Sequence, residues 1–115
     1  MSGDEYLGEF EHLVMLAVLR LGDEAYGVPI RQTIEDRGQR PVSFGAVYST
    51  LRRLRKKGHV ATRHGDPEPV RGGRAKKYFA SEPRGLEVLR SAQLRMTRMT
   101  SGLDSELSLP GGEGS

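Results

Sequence analysis

The chain has no cysteine and no tryptophan. Without cysteine there is no disulfide, no thiolate nucleophile and no thiolate metal site, which removes several enzyme classes at once. No run of about 18 apolar residues is present to span a bilayer, so no membrane partner is expected. The opening stretch Met1-Ser-Gly-Asp-Glu-Tyr6 is acidic where a secretory signal would be basic, and a cytoplasmic location is the expectation. Lysine is scarce, four residues against fourteen arginines, a bias that GC-rich coding produces without functional demand. Hydrophobic residues make up 36% of 115 residues and aromatics 6%. That is core material for one domain, with roughly two thirds of the unfolded surface buried at this size. Some apolar surface is left for a partner subunit.

What the chain does have is an uneven charge. The net charge of +3 divides into −5 over residues 1–38, +9 over residues 39–80 and −1 over residues 81–115. Nearly all the positive charge lies in the middle third, and a field concentrated in this way attracts polyanions and releases counterions from phosphates.

Periodicity places the elements. Phe10, Leu13, Val14, Ala17, Val18 and Leu21 recur at helical spacing between Leu7 and Leu21, with Gly22-Asp23 as the stop. A second helix is predicted from Tyr26-Gly27 to Gly38, with Pro29 in its first turn and Val28, Ile30 and Ile34 buried. Ser43 is the N-cap of a third helix, Phe44 to Lys57, closed by Gly58. At 100° per residue, Phe44, Val47, Leu51 and Leu54 share one stripe, while Gly45, Ser49, Arg52 and Lys56 fall opposite, flanked by Ala46 and Arg53. Strands at residues 60–64 and 75–80 frame a glycine- and proline-rich tip. Ser81 caps a fourth helix whose stripe of Leu86, Leu89, Gln93, Met96, Met99 and Leu103 has near-heptad spacing over about 33 Å.

The expected fold class is therefore mostly α with a small β-hairpin, a winged helix-turn-helix over residues 1–80 with a C-terminal dimerisation helix over 81–104 and a tail without fixed structure over 105–115. Pairing of the last helix with a second copy and packing back on the first helix both remain open, and the two can coexist. The candidate DNA contacts are Ser43, Gly45, Ala46, Tyr48, Ser49, Arg52, Arg53 and Lys56 on the third helix, with Arg71, Arg74, Lys76 and Lys77 in the hairpin. Arginine is the side chain most often bidentate to guanine, and backbone cations fix position on the duplex. Strand alternation puts Lys76 and Lys77 on opposite faces, so one of them is expected to meet DNA.

His59 and His64 flank a short strand with no carboxylate or cysteine at ligand spacing, and His12 lies far away in sequence on an otherwise apolar helix, so no metal and no other cofactor is expected. Nor is there a nucleophile elbow, phosphate loop or paired carboxylate for catalysis. His12, Met15, Met96 and Met99 form a candidate pocket for a small apolar effector in a dimer, although packing alone also accounts for them.

Five segments, Leu7-Gly8-Glu9-Phe10-Glu11-His12-Leu13-Val14, Ala25-Tyr26-Gly27, Ser43 to Leu51, Lys57-Gly58, and Gly72-Gly73-Arg74 to Lys77-Tyr78, stand in one order with characteristic gaps. In this the chain resembles the PadR family of bacterial transcriptional regulators over residues 7–103. The resemblance implies a winged helix, a homodimer formed through the C-terminal helix and repression of nearby genes from a pseudo-palindromic operator. It favours a DNA contact by Tyr48, and the single short C-terminal helix is similar to the compact subgroup of the family. Two features depart from the pattern. The aromatic effector sandwich of some relatives cannot be carried over to a chain without tryptophan, and Ala80-Ser81-Glu82-Pro83-Arg84-Gly85 replaces the usual Leu-Thr opening of the last helix. A protein-interaction module using the acidic N-terminal third is the competing reading.

Overall fold

The computed structural model describes residues 6–65 and 76–108. Its order is α1 (Glu9–Leu21), a 3-10 turn (Gly22–Glu24), α2 (Gly27–Gly38), α3 (Phe44–Lys56), β1 (Val60–His64), β2 (Lys77–Ser81), α4 (Pro83–Thr100) and α5 (Asp104–Leu107). Three helices followed by an antiparallel hairpin make a winged helix, mostly α with a two-stranded sheet.

Local chemistry sets the helix ends. The Ser43 hydroxyl oxygen accepts from the Ala46 N–H at 3.1 Å, and Gly58, at φ +83°, turns the chain out of α3 where a side chain would be strained. In α2 the expected stop, Gly38, is the last helical residue, and the left-handed position falls on Gln39. The core joins Val14, Met15 and Val18 of α1 to Ile30 and Ile34 of α2, Val47, Leu51 and Leu54 of α3, Val60, Phe79 and Leu89.

Several expectations are corrected. Val28 is 53% exposed, because α2 turns Ile30 and Ile34 inward instead. Phe44 is 41% exposed: it stands at the rim of the packed stripe, its ring stacked on Tyr48 at 6.3 Å and covered by the Arg31 guanidinium at 4.7 Å. The second strand extends through Ser81, so Glu82 takes the N-cap of α4 and Pro83 its first helical position. Helix α4 has 18 residues, about 27 Å, and Leu103 lies past its end. Residues 105–107, expected to begin the tail without fixed structure, lie with Asp104 in the short helix α5.

The root of α4 sits on the end of α3. Glu82 donates its N–H to the His59 carbonyl at 2.9 Å, while His59 donates its own to Leu54 at 2.8 Å. Gly85 is buried directly against His59, and Leu89 and Ala92 are buried further along α4, Ala92 on the side of α1. Beyond Ala92 every described residue, from Gln93 to Ser108, is exposed.

Candidate nucleic-acid interface

Helix α3 divides as its sequence implies. Val47, Leu51 and Leu54 face the core together with Thr50, while Gly45, Ala46, Arg52, Arg55 and Lys56 face outward and Ser49 is half-buried between them. Ser49 donates its hydroxyl to the Ala46 carbonyl at 3.3 Å, which leaves its oxygen as an outward acceptor. Among the described residues the side chains of Arg52, Arg55 and Lys56 make no hydrogen bond or ion pair. Arg55 was not among the candidate contacts, because its angular position on the helix lies off the stripe centred on Ser49 and Arg52.

Arg53 is held differently. Its Nε donates to Glu11 Oε2 at 3.5 Å and its Nη2 to Thr50 Oγ1 at 3.2 Å, and Lys57 Nζ reaches the same Glu11 oxygen at 3.2 Å. Glu11, only 8% exposed, turns its other oxygen to the Gly8 N–H at 3.1 Å. This carboxylate clamps one edge of α3 to α1. Tyr48 is half-exposed, with its hydroxyl against Gly27 at the start of α2, so close that a Cβ at Gly27 would overlap it.

The wing is rooted in an aromatic stack that the sequence does not announce. Tyr26 forms an isolated antiparallel bridge with Tyr78, their rings meeting edge to face at 5.3 Å. Arg63 covers the Tyr78 ring at 4.4 Å and donates to the Asp23 carbonyl at 3.3 Å. Lys76 lies over the Tyr26 ring at 4.9 Å, half-buried, so it belongs to the root of the wing, whereas Lys77 is exposed. Only a non-local contact pairs residues 26 and 78, which is why no local spacing reveals it. Arg71 and Arg74 lie outside the described residues.

The expected dimer and effector residues are dispersed. Leu89 is 3% exposed and part of the core, so its replacement would unfold the domain before it tested association. Leu86 is half-buried, Gln93 Oε1 lies 2.8 Å from His12 Nε2, and Met96, Met99 and Leu103 are exposed. Met15 is fully buried and does not line the groove that His12 and Met96 share. His12 and Met96 do share a groove of about 380 Å³ between α1 and α4, whereas Met99 faces a separate hollow beside Leu94 and Arg98.

The acidic side chains of the N-terminal third are partly spent within the fold. Glu11 is buried, Glu35 pairs with Arg31 at 3.3 Å and Glu9 with Arg40 at 3.6 Å, which weakens the case for a protein-docking face there. Among the described residues no cluster of three or more metal-ligating side chains occurs, and no helix is long and apolar enough to cross a membrane.

Two buried ionisable groups make stability depend on pH. Burial, then the Lys57 charge, push the His59 imidazole below its ordinary 6.5, against an opposing pull from Glu11. Burial alone would raise the Glu11 carboxyl, but the Gly8 N–H, Lys57 and Arg53 outweigh it and hold it below its ordinary 4.5. Both folded values are depressed, so the unfolded chain binds more protons in acid. Stability should be fully present above about pH 7, begin to fall as pH drops through 6.5, and fall again below 4.5 as Glu11 is protonated. Thermal melts from pH 4 to 8 should show both stages, and His59→Gln should flatten the upper one; an unchanged upper stage in that variant would refute the assignment.

Comparison with known proteins bears on this geometry. Residues 15–91 match the family model described as the transcriptional regulator PadR-like family. The crystal structure of a PadR family transcriptional regulator from Eggerthella lenta is similar at 27% identity and TM-score 0.65, covering 89% of this chain and 88% of that one. A PadR family regulator from Clostridium difficile shares the fold at 20% identity and TM-score 0.65, over 84% of this chain and 96% of its own. A PadR-like regulator from Bacillus cereus does so at 19% and 0.65, over 88% and 93%. Among curated proteins no match is found.

Proposed function

Since this chain belongs to the PadR-like family of transcriptional regulators, we propose that it binds duplex DNA sequence-specifically, laying α3 in the major groove and the wing along the backbone. The observation that carries this reading is the outward face of α3, where Arg52, Arg55 and Lys56 extend without partners among the described residues beside the small residues Gly45 and Ala46. Gly45 and Ala46 let the helix approach the groove floor, Ser49 and Arg52 read base edges, and Ser43, Tyr48, Lys56 and Lys77 meet phosphates. Arg53 reaches the backbone only at the edge set by its bond to Glu11. Arg71 and Arg74 would extend the contact through the wing, whereas Lys76, over the Tyr26 ring, stays at its root.

Residues 1–80 serve as the DNA-binding unit and 81–104 as the dimerisation helix. The apolar side chains Leu94, Met96 and Met99, exposed on the free half of α4, support a homodimer. Its recognition helices would sit about 34 Å apart on a pseudo-palindromic operator. The output is repression of nearby genes in the cytoplasm, needing no cofactor and relieved by a small apolar effector in the His12–Met96 groove. Members of this family act as regulators, and catalysis has no place in the reading.

Gel-shift titration with genomic fragments tests it. Wild-type protein should shift a subset of fragments, and Arg52→Ala should lose about 1–3 kcal/mol at particular base pairs while binding other sequences nearly as before. Equal losses on all sequences would make Arg52 a phosphate contact, and no shift by the wild type would overturn the proposal.

A further inference from the structure

On the side of α1 turned toward α2, Leu13, Leu16, Ala17 and Ile34 floor a groove of about 280 Å³ with Arg20 and Arg37 at its rim. Among the described residues neither arginine side chain has a hydrogen bond, ion pair or ring contact. Leu13 and Leu16 also line the α1–α4 groove, so one apolar trough crosses α1.

The end of the chain's described part has the opposite character. Leu103 and Leu107 are exposed about one helical turn apart, and Asp104 and Glu106 stand beside them, their side chains also without partners among the described residues. This segment closes an arm, Gln93 to Ser108, in which every residue is exposed, with Gln93 against His12 and Arg95 over the Tyr6 ring as its only side-chain hydrogen bond and ring contact to α1 and its approach among the described residues.

The geometry points to one occupant: the Leu103–Leu107 segment of a second copy seats its two leucines in the α1–α2 groove, with Asp104 and Glu106 against Arg20 and Arg37. Two apolar side chains meet an apolar floor and two carboxylates meet two free guanidinium groups, a match of both shape class and charge. In a two-fold dimer the contact occurs twice, so each subunit gives an arm and receives one. This reaches beyond helix pairing through α4, and it rests on the homodimer reading.

Sedimentation equilibrium on the full chain tests it, with circular dichroism confirming that each variant is folded; all the substituted residues are exposed in the single chain. Leu103→Ser/Leu107→Ser should raise the dimer dissociation constant by about a hundredfold. Two charge-reversed chains, Arg20→Glu/Arg37→Glu and Asp104→Arg/Glu106→Arg, should each dimerise about tenfold more weakly alone. Mixed, they should recover nearly wild-type association, because both contacts in the heterodimer pair opposite charges. A wild type that is monomeric removes the homodimer reading and this contact with it. A wild-type dimer that the double serine variant leaves unchanged overturns this contact alone. Charge-reversed chains that stay weak when mixed also overturn it.

Discussion

Raising the salt from about 50 to about 200 mM should weaken the complex with duplex DNA by about 10³- to 10⁵-fold. Each copy presents Arg52, Arg55, Lys56 and Lys77 as exposed cations without internal ion pairs among the described residues. With Arg52 kept for the bases, Arg55, Lys56 and Lys77 would give six phosphate contacts in a dimer, the lower end of the roughly six to ten that produces such a loss. Arg53 and Lys57, already compensated by Glu11, should add little to the slope. The measurement is fluorescence anisotropy with a bound fragment across the salt series. Lys56→Ala should lower the slope of log affinity against log salt by about 2, one counterion from each subunit, and weaken all sequences alike. A slope near zero for the wild type would show that the cationic face of α3 is not what holds the DNA.

Gly85→Ala should be the most damaging small substitution in the fold. In an ordinary helix the change stabilises by about 1 kcal/mol, because alanine loses less backbone freedom. Here a Cβ at Gly85 would overlap the His59 carbonyl oxygen and lie 2.8 Å from its carbonyl carbon and 2.9 Å from its Cα. Those atoms are backbone, fixed by hydrogen bonds from Glu82 and to Leu54, and cannot swing away as a side-chain tip would. Helix α4 must shift as a body, which lifts Leu89 and Ala92 out of their packing. A cost of about 3 kcal/mol follows, or a fall in melting temperature of roughly 12 °C. Scanning calorimetry of the folded variant decides it, and an unchanged or raised melting temperature would refute the clash.

The course of the helices was legible because their signals are local. Ser43 and Gly58 mark the ends of α3 through groups within four residues, and the spacing of Val47, Leu51 and Leu54 marks its buried face. Arg52 and Lys56 opposite follow from the same arithmetic, whereas Arg55 does not. Features that depend on contacts distant in sequence were not legible. Phe44 satisfies the helical stripe yet finds Arg31 and Tyr48 at the rim, and Arg53 looks like an uncompensated cation until Glu11, 42 positions earlier, is brought beside it. Heptad spacing grouped Leu89 with Met99, but the first lies where α4 still rests on the core and the second, 70% exposed, lies beyond it. The Tyr26–Tyr78 stack escaped for the same reason.

Glu11 and His12 are adjacent on α1, yet one grips α3 through Arg53 and Lys57 and the other meets Gln93 of α4. A single peptide unit is thus the fulcrum between two levers, the one that would read an operator and the one that would join subunits. A molecule that moved α4 against His12 would therefore act one residue away from the carboxylate that holds α3.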